Sequence, residues 1–417
     1  MHFFYRLLAF VIFFIDFCAD KNVFIRMIDQ QLHAYMELQL ALTTDRFFRY
    51  LYNRIAWDDR MIGIIGPRGV GKTTMVLQYI NAHRDTKKSL YVSADIAYFT
   101  THTLIEVADE WSKEDGKLLV IDEVHKYPDW SRELKQIYDT HPDLQIIFTG
   151  SSILDIQKGT ADLSRRALMY TMQGLSFREY LQLFRQIETP VFSLEEILAG
   201  KAHVEGLLHP LSYFREYLKS GYYPFAVAGN FEGRMQSTII QTIETDIAMF
   251  ANLKASTARK LRKMLTVIAS LAPFKPNADT LAASIGVSRN NIPDYLILLE
   301  QAQMIGQLRD DTQGIRGLGK VKKVYLDNPN LMYVLNPSDV NVGNLRETFF
   351  YNQLRVNNEV ISSRISDFTI GKYTFEVGGK NKTKKQLGDT PDSFVVKDDI
   401  EFAQENIIPI WAFGLNY

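Results

Sequence analysis

Residues 66–74 read Gly66-Pro67-Arg68-Gly69-Val70-Gly71-Lys72-Thr73-Thr74, and the first eight fit the pattern G-x-x-x-x-G-K-[ST]. Glycines let the backbone N–H groups of such a loop close around phosphate oxygens, and the following helix points its positive N-terminal end at them. Lys72 is predicted to reach the outer phosphates, and Thr73 to offer its hydroxyl to Mg²⁺. A plain glycine-rich turn is the alternative, although a chance match has a probability on the order of one in a hundred. Residues 66–74 are therefore predicted to bind ATP.

Short apolar segments alternate with helical ones around this loop. Residues 60–65 are nearly all apolar, as a strand buried in a parallel sheet requires. Further strands are predicted at residues 89–93, 117–121 and 144–149, and helices at residues 30–57 and 73–82. This alternation predicts an α/β fold with a doubly wound parallel sheet. Later helices are predicted at residues 177–184, 194–198, 208–218, 233–250, 256–272 and 278–305, the last one interrupted at residues 286–288, before a strand-like tail from about residue 356.

Two adjacent carboxylates, Asp122 and Glu123, end the apolar strand at residues 117–121. Parallel strands bring such residues to the carboxyl edge of the sheet, where ligands bind. Asp122 is predicted to hold Mg²⁺ through water, since magnesium keeps much of its hydration shell. Glu123 is predicted to polarise the attacking water. A solvated strand end is the usual interpretation of an isolated Asp-Glu pair, but the spacing of about 50 residues from the loop favours the catalytic one.

The next strand also ends in polar residues, which include Thr149 and Ser151. A side chain there can lie between Mg²⁺ and the γ-phosphate and hydrogen-bond the attacking water, and Ser151 is the first candidate, with Thr149 the second. A plain serine turn is the alternative. Arg165 and Arg166 follow, and an arginine on the γ-phosphate would stabilise transition-state charge. Adjacent arginines are more often surface charge.

The composition is that of a globular protein with ample apolar core. The chain has 417 residues, of which 46% are hydrophobic and 23% charged, and this length indicates roughly two to four domains. Lys plus Arg (47) nearly balances Asp plus Glu (48), so net charge gives no sign of nucleic acid or membrane. Cys18 is the single cysteine, which excludes an internal disulfide and a cysteine-based zinc site. A cytoplasmic location is predicted, because the cytosol is reducing and contains ATP.

The first residues form a separate apolar segment. Residues 7–17 follow Arg6 and resemble a short signal-peptide core, but they fall short of the roughly 20 apolar residues of a transmembrane helix. No A-x-A cleavage site follows them. Residues 1–29 are interpreted as an apolar leader or as a start assigned too early, with translation from Met27; a membrane tether is less favoured.

Several segments together resemble the bacterial and archaeal AAA-type ATPases that carry a C-terminal domain of unknown function. The resemblance rests on GPRGVGKTT, LLVIDEVHKYPDWSRELKQIYD, IIFTGSSILDI and ADLSRRALMYTMQGLSFREYL, with looser matches at residues 221–224, 323–328 and 343–350. It implies an AAA+ core, a winged-helix segment and a terminal module similar to restriction-type nucleases. By match to the family's Gly-Arg pair it favours Arg166, although Arg165 stands where the family usually has glycine.

Residues 278–301 read as a helix-turn-helix. Gly286 permits the tight corner, and Ser288 can cap the second helix. If this element binds DNA, the N-terminal end of the second helix enters the groove, and the residues there are Arg289, Asn290 and Asn291. Packing against the ATPase core or a partner protein is an equal alternative.

The tail has a layout similar to restriction-type nucleases, in which an acidic residue and a Glu-x-Lys strand bind metal and activate water. Asp367, Glu376 and Lys380 are the corresponding residues. The position two after Glu376 is Gly378 rather than lysine, so Lys380 can substitute only if the backbone bulges. A degenerate or structural module is therefore favoured over an active nuclease.

Five segments are predicted: an apolar leader or mis-assigned start at residues 1–29, a P-loop ATPase core at 30–185, a helical lid at 186–250, a winged helix-turn-helix at 251–335 and a nuclease-like module at 336–417. The predicted function is Mg²⁺-dependent ATP hydrolysis coupled to the C-terminal domains. Lys72, Glu123, Ser151 and Arg166 are its predicted catalytic residues, and Thr73 and Asp122 its metal ligands. The alternatives are an ATP-gated DNA-binding regulator and a DNA nuclease effector. The predicted partners are ATP and a DNA or protein client, and oligomerisation stays open.

Overall fold

Five parallel strands form the central sheet, in the order β2-β3-β4-β1-β5. The computed structural model describes residues 21–150, 163, 165–311 and 320–417, with the backbone alone for residues 21–29 and 384. The strands are β1 Met61–Ile65, β2 Ser89–Ser93, β3 Leu118–Asp122, β4 Gln145–Gly150 and β5 Leu168–Thr171. Every residue of β1, β2 and β3 is buried, which explains their apolar sequences. The predicted α/β fold with a parallel sheet is confirmed.

Helices alternate with these strands: α1 Lys21–Leu42, α2 Lys72–His83, α3 Leu104–Lys113 and α4 Trp130–Thr140. The prediction of one helix over residues 30–57 is wrong after Leu42, and only a short 3₁₀ turn, Tyr52–Arg54, follows. Thr43, Thr44 and Asp45 come next, and such side chains compete with the backbone for hydrogen bonds. The Thr43 hydroxyl donates to a backbone carbonyl of the last turn at 2.8 Å.

Helices dominate from residue 177 to residue 301. They are α5 Phe177–Arg185, α6 Leu194–Leu198, α7 Pro210–Glu216, α8 Phe231–Gln241, α9 Ala248–Phe250, α10 Ala255–Leu271, α11 Ala278–Ile285 and α12 Ile292–Gln301. The π-helical turn Thr242–Ile247 interrupts the segment predicted as continuous helix at residues 233–250. A second π-helical turn, Tyr217–Gly221, overlaps the end of the helix predicted at residues 208–218. The strands β6 Ile305–Arg309 and β7 Val321–Leu326 then form an antiparallel pair, so the helix predicted to reach residue 305 ends earlier. Helices α10 to α12 thus precede a hairpin, and the winged helix at residues 251–335 stays a prediction.

A second sheet occupies the tail, with strand order β12-β11-β10-β9-β8. Two helices precede it, α13 Pro329–Leu335 and α14 Val342–Leu354, and its strands are β8 Val360–Ser362, β9 Phe368–Ile370, β10 Tyr373–Gly378, β11 Ser393–Lys397 and β12 Ile407–Pro409. Strands β8 to β10 are antiparallel, whereas β10 to β12 are parallel. Buried aromatic side chains from α14 and the sheet, such as Phe350 and Phe375, pack together. Within the described part of the chain, no helix has both the length and the apolarity needed to cross a membrane.

Candidate functional site

Asp122 is the centre of a hydrogen-bond cluster at the carboxyl edge of the central sheet. Its Oδ2 accepts hydrogen bonds from the hydroxyls of Thr73 at 2.7 Å and Tyr91 at 2.8 Å, and its Oδ1 accepts one from Thr149. Burial raises the pKa of Asp122, and so does the charge of Glu123, while the three hydroxyl donors act in the opposite direction. The parallel register brings β2, β3 and β4 to one edge, and this brings the residues together.

The glycine-rich loop joins the end of β1 to the start of α2. Gly69 and Gly71 have φ values of 79° and 99°, a region that glycine enters without steric cost. The buried side chain of Lys72 folds back over the loop, and its Nζ donates to the carbonyls of Gly66 and Pro67 at 2.9 Å each. Burial lowers the pKa of Lys72 to about 8, although Glu123 and Asp122 oppose the shift. The loop therefore holds one buried ammonium group beside its backbone amides.

Glu123 takes an unusual backbone conformation. Its φ is 53°, a left-handed value that is uncommon for a residue with a side chain and is found more often at functional sites. Its backbone N–H donates to Thr149 Oγ1 at 3.3 Å, and its carboxylate lies 3.4 Å from His125 Nε2. Burial lowers the pKa of His125 to about 3, so this imidazole is neutral at neutral pH.

Two further cations and one further carboxylate lie beside Glu123. Arg68 donates to Asp246 through Nε at 2.7 Å and Nη2 at 3.1 Å, and Lys126 donates to the same carboxylate at 2.7 Å. Arg68 Nη2 is 3.9 Å from Glu123 Oε2. The helical segment at residues 242–247 thus contributes a charged group to the edge of the loop.

An aromatic side chain also packs against the loop. Phe225, in the 3₁₀ helix Pro224–Ala228, lies so close to Gly69 that a Cβ on that glycine would come within 2.7 Å of the ring. A cavity of about 670 Å³ opens next to this contact. Its walls include the loop end and helices α2 and α5, and the lining residues include Thr44, Phe47, Gly71, Thr74, Gln78 and Gln182.

Two predicted catalytic residues are not seen beside the loop. Ser151 lies outside the described residues. Arg166 donates to both carboxylate oxygens of Asp139 at 2.9 Å. Strand β5 runs parallel to β1 with Ile62 opposite Leu168, so Arg166 lies at the amino edge of the sheet. The four residues of β5 separate it from the loop edge by about 13 Å. Arg166 therefore lies away from the loop of its own chain, and its role on a γ-phosphate stays a prediction.

The tail residues lie close together, but with a different lysine from the one predicted. Glu376 is buried and forms an ion pair with Lys382, whereas Lys380 is exposed. The side chain of Lys382 fills the space beside Gly378, where a Cβ would come within 2.7 Å of its Cγ. Asp367 accepts hydrogen bonds from Val377 N at 3.0 Å and Lys323 Nζ at 3.3 Å. Across the described ranges, no three His, Cys, Asp or Glu side chains are grouped so as to hold a metal ion.

Helices α11 and α12 lie at the residues predicted to form a helix-turn-helix. Gly286 ends α11 with a φ of 67°, and Ser288 accepts a hydrogen bond from Asn290 N at 3.4 Å. Arg289 is exposed and lies 3.3 Å from the carboxylate of Asp279. The cation in the exposed turn before α12 is thus next to an acidic residue from the first turn of α11.

Sequence patterns missed several residues of the site. Tyr91 lies on a predicted strand. Its position next to β3 depends on the order of strands in the sheet, which the sequence alone does not predict. Asp246 is separated from Arg68 by 178 residues, and no local pattern links them. Arg49, which donates to the Val70 carbonyl under the loop, lies in a segment predicted to be helical.

Two families match separate parts of the chain. Residues 58–181 match the family described as AAA domain, and residues 211–340 match a domain of unknown function (DUF8612). Uncharacterized protein MJ1637 of Methanocaldococcus jannaschii is 25% identical over 265 residues, which cover 59% of this chain and 56% of that protein. This chain therefore aligns with little more than half of its curated relative.

The chain also aligns with solved structures at TM-scores below 0.5. A Walker-type ATPase of Pyrococcus abyssi gives a TM-score of 0.43 at 13% identity, over 71% of this chain and 99% of that chain. AMPPCP-bound DnaA of Aquifex aeolicus gives a TM-score of 0.24 at 16% identity, over 60% and 84% of the two chains. The family match contains the glycine-rich loop, Asp122 and Glu123. Residues 58–181 therefore match an AAA domain, and the matched segment carries the P-loop.

Proposed function

We propose that this protein binds ATP with Mg²⁺ at residues 66–74, hydrolyses it, and couples the nucleotide state to its C-terminal regions. The observation that carries this proposal is the meeting of Lys72, Thr73, Asp122 and Glu123 at one sheet edge. Loop amides and the Lys72 ammonium would neutralise the phosphates. The lowered pKa of Lys72 reflects its burial, and an adjacent phosphate would favour the charged form.

The residues present fit Mg²⁺. The Thr73 hydroxyl and the Asp122 carboxylate are hard oxygen ligands 2.7 Å apart, and magnesium suits one or two such groups together with phosphates and water. Bound Mg²⁺ would supply neutralisation of phosphate charge. Thr73 would contact it directly, and Asp122, held in orientation by Tyr91 and Thr149, would act through water. Glu123 would orient and polarise the attacking water.

The cavity beside Gly71 and Thr74 supports a nucleoside position. Its volume of about 670 Å³ falls within the usual range of small-molecule sites, roughly 300–1,000 Å³. Phe225 on Gly69 and Asp246 on Arg68 bring residues of the second family match to the loop. A change in the bound phosphates would therefore act on that region through these two contacts. We place the protein in the cytoplasm, where ATP is abundant.

Phosphate release from ATP tests this function. The wild type should release phosphate only with Mg²⁺, and Glu123→Gln should bind ATP but release phosphate at least about a hundredfold more slowly, because the group that orients water is lost. A Glu123→Gln variant with the wild-type rate would contradict the assigned role.

A DNA-binding regulator is the second candidate, favoured by the helix, turn and helix at residues 278–301. ATPase rates with and without duplex DNA, at two salt concentrations, distinguish it, since phosphate contacts are salt-dependent. The nuclease alternative has less support, because the lysines beside Glu376 and Asp367, Lys382 and Lys323, do not stand at the Glu-x-Lys position.

A further inference from the structure

Asp246 joins the helical segment after α8 to the phosphate-binding loop. It lies in the π-helical turn Thr242–Ile247, and its side chain is 1% exposed. Its carboxylate holds Arg68 by two hydrogen bonds and Lys126 by a third, at 2.7 to 3.1 Å. Arg68 belongs to the loop, and Lys126 ends the 3₁₀ turn that follows Glu123. One buried carboxylate thus fixes two cations next to Glu123.

Glu123 and Asp246 compete for the same guanidinium group. Arg68 Nη2 lies 3.1 Å from Asp246 Oδ1 but 3.9 Å from Glu123 Oε2, so Asp246 has the closer pairing. A bidentate arginine–carboxylate pair also fixes the orientation of the guanidinium plane. Burial acts to raise the pKa of Asp246, but Arg68 and Lys126 lower it further than burial raises it, so the carboxylate is ionised at neutral pH.

We propose that Asp246 is a positioning residue for the ATP hydrolysis proposed above: by holding Arg68, it prevents this arginine from closing onto Glu123. Arg68 closed onto Glu123 would occupy the carboxylate oxygens that have to hydrogen-bond the attacking water, and the bidentate pair with Asp246 keeps its nearest nitrogen 3.9 Å from that carboxylate. The inference rests on the proposed function, since it assigns Glu123 the water-polarising role.

The backbone around Asp246 supports a specific role for this contact. π-Helical turns are rare and occur frequently at functional sites. Asp246 lies in residues 211–340, whereas its two partners lie in residues 58–181, so the ion pairs connect two separately matched regions. The same contact that positions Arg68 therefore links the ATPase domain to the helical region.

Steady-state ATP hydrolysis by the full chain tests the proposal. Asp246→Asn should lower kcat at least about tenfold while KM for ATP changes less than about threefold, because phosphate binding is retained. With Arg68→Gln already present, the same change should alter kcat less than about threefold, since no guanidinium is left to close onto Glu123. Asp115→Asn is the matched control: Asp115 is exposed and pairs only with Lys88 and Lys117 in the ion pairs of the described residues, so kcat should not change.

Each other outcome has a definite meaning. An unchanged kcat in Asp246→Asn, or an equal loss with and without Arg68→Gln, would overturn the positioning role while leaving the ATPase itself intact. A wild type without turnover would overturn the proposed function and this inference together. If Asp246→Asn does not fold, Asp246→Glu keeps the charge and should stay within about threefold of wild-type kcat. A folded Asp246→Glu with a loss above about tenfold would overturn the proposal.

Discussion

Arg49 Nε lies 3.0 Å from Glu179 Oε1, and neither side chain is more than 4% exposed. Glu179 also accepts hydrogen bonds from the backbone N–H groups of Tyr50 at 2.5 Å and Ser176 at 3.2 Å. Arg49 donates to the Val70 carbonyl in the phosphate-binding loop. This ion pair therefore ties the segment before β1, the loop and helix α5 together.

Loss of the Glu179 charge should destabilise the fold. Glu179→Gln leaves the Arg49 guanidinium buried without its counter-charge, and breaking such a pair costs about 3–5 kcal/mol of the free energy of unfolding. Urea denaturation measures this loss. The control is Glu216→Gln, which breaks a half-exposed pair with Arg185 and should cost less than about 1 kcal/mol. Equal losses of unfolding free energy in the two variants would contradict the claim that the buried Arg49–Glu179 pair stabilises the fold more than the exposed pair.

The identity of the lysine beside Glu376 gives a second prediction. Lys382→Met removes the partner of a carboxylate that is 2% exposed, and a cost of about 1–3 kcal/mol is expected because Lys382 itself is partly exposed. Lys380→Met, two residues earlier, should change stability by less than about 0.5 kcal/mol. Thermal unfolding of both variants checks the assignment, and a larger loss in Lys380→Met would reverse it.

Phe225 should slow nucleotide release. Its ring packs on Gly69 and stacks with Phe231, so Phe225→Ala removes a cover of the loop. Dissociation of a fluorescent ATP analogue, followed by stopped flow, should become at least about fivefold faster, since such changes act mainly on off-rates. Phe402→Ala is the control, because Phe402 is 71% exposed. Identical dissociation rates in the wild type and Phe225→Ala would contradict the covering role.

Local patterns in the sequence were sufficient to predict the core of the candidate site. The strand before the loop, the loop and the strand ending in Asp122 are each continuous segments, and parallel pairing brings their ends to one edge. The glycine-rich loop and the two acids lie at strand ends. A correct prediction of the parallel sheet therefore also brings the loop and the acids to one edge.

Contacts between distant segments were not predictable in this way. Asp246 reaches Arg68 across 178 residues, and it does so from a π-helical turn that helical periodicity does not indicate. The sequence pattern points to Lys380 as the lysine near Glu376. The strand β10 ends at Gly378, however, and the following turn brings Lys382 to the carboxylate. The motif selects Arg166, but only the register of β5 against β1 shows that it lies at the amino edge of the sheet.

The affinity of the wild type and of Lys72→Ala for ATP tests the central claim most directly. Lys72 supplies the single ammonium group that hydrogen-bonds to the carbonyls of Gly66 and Pro67 among the described residues. With Mg²⁺ present, isothermal titration calorimetry should show ATP binding to the wild type, and at least about a hundredfold weaker binding to a folded Lys72→Ala. Equal affinities for ATP in the two proteins would contradict a phosphate-binding loop at residues 66–74.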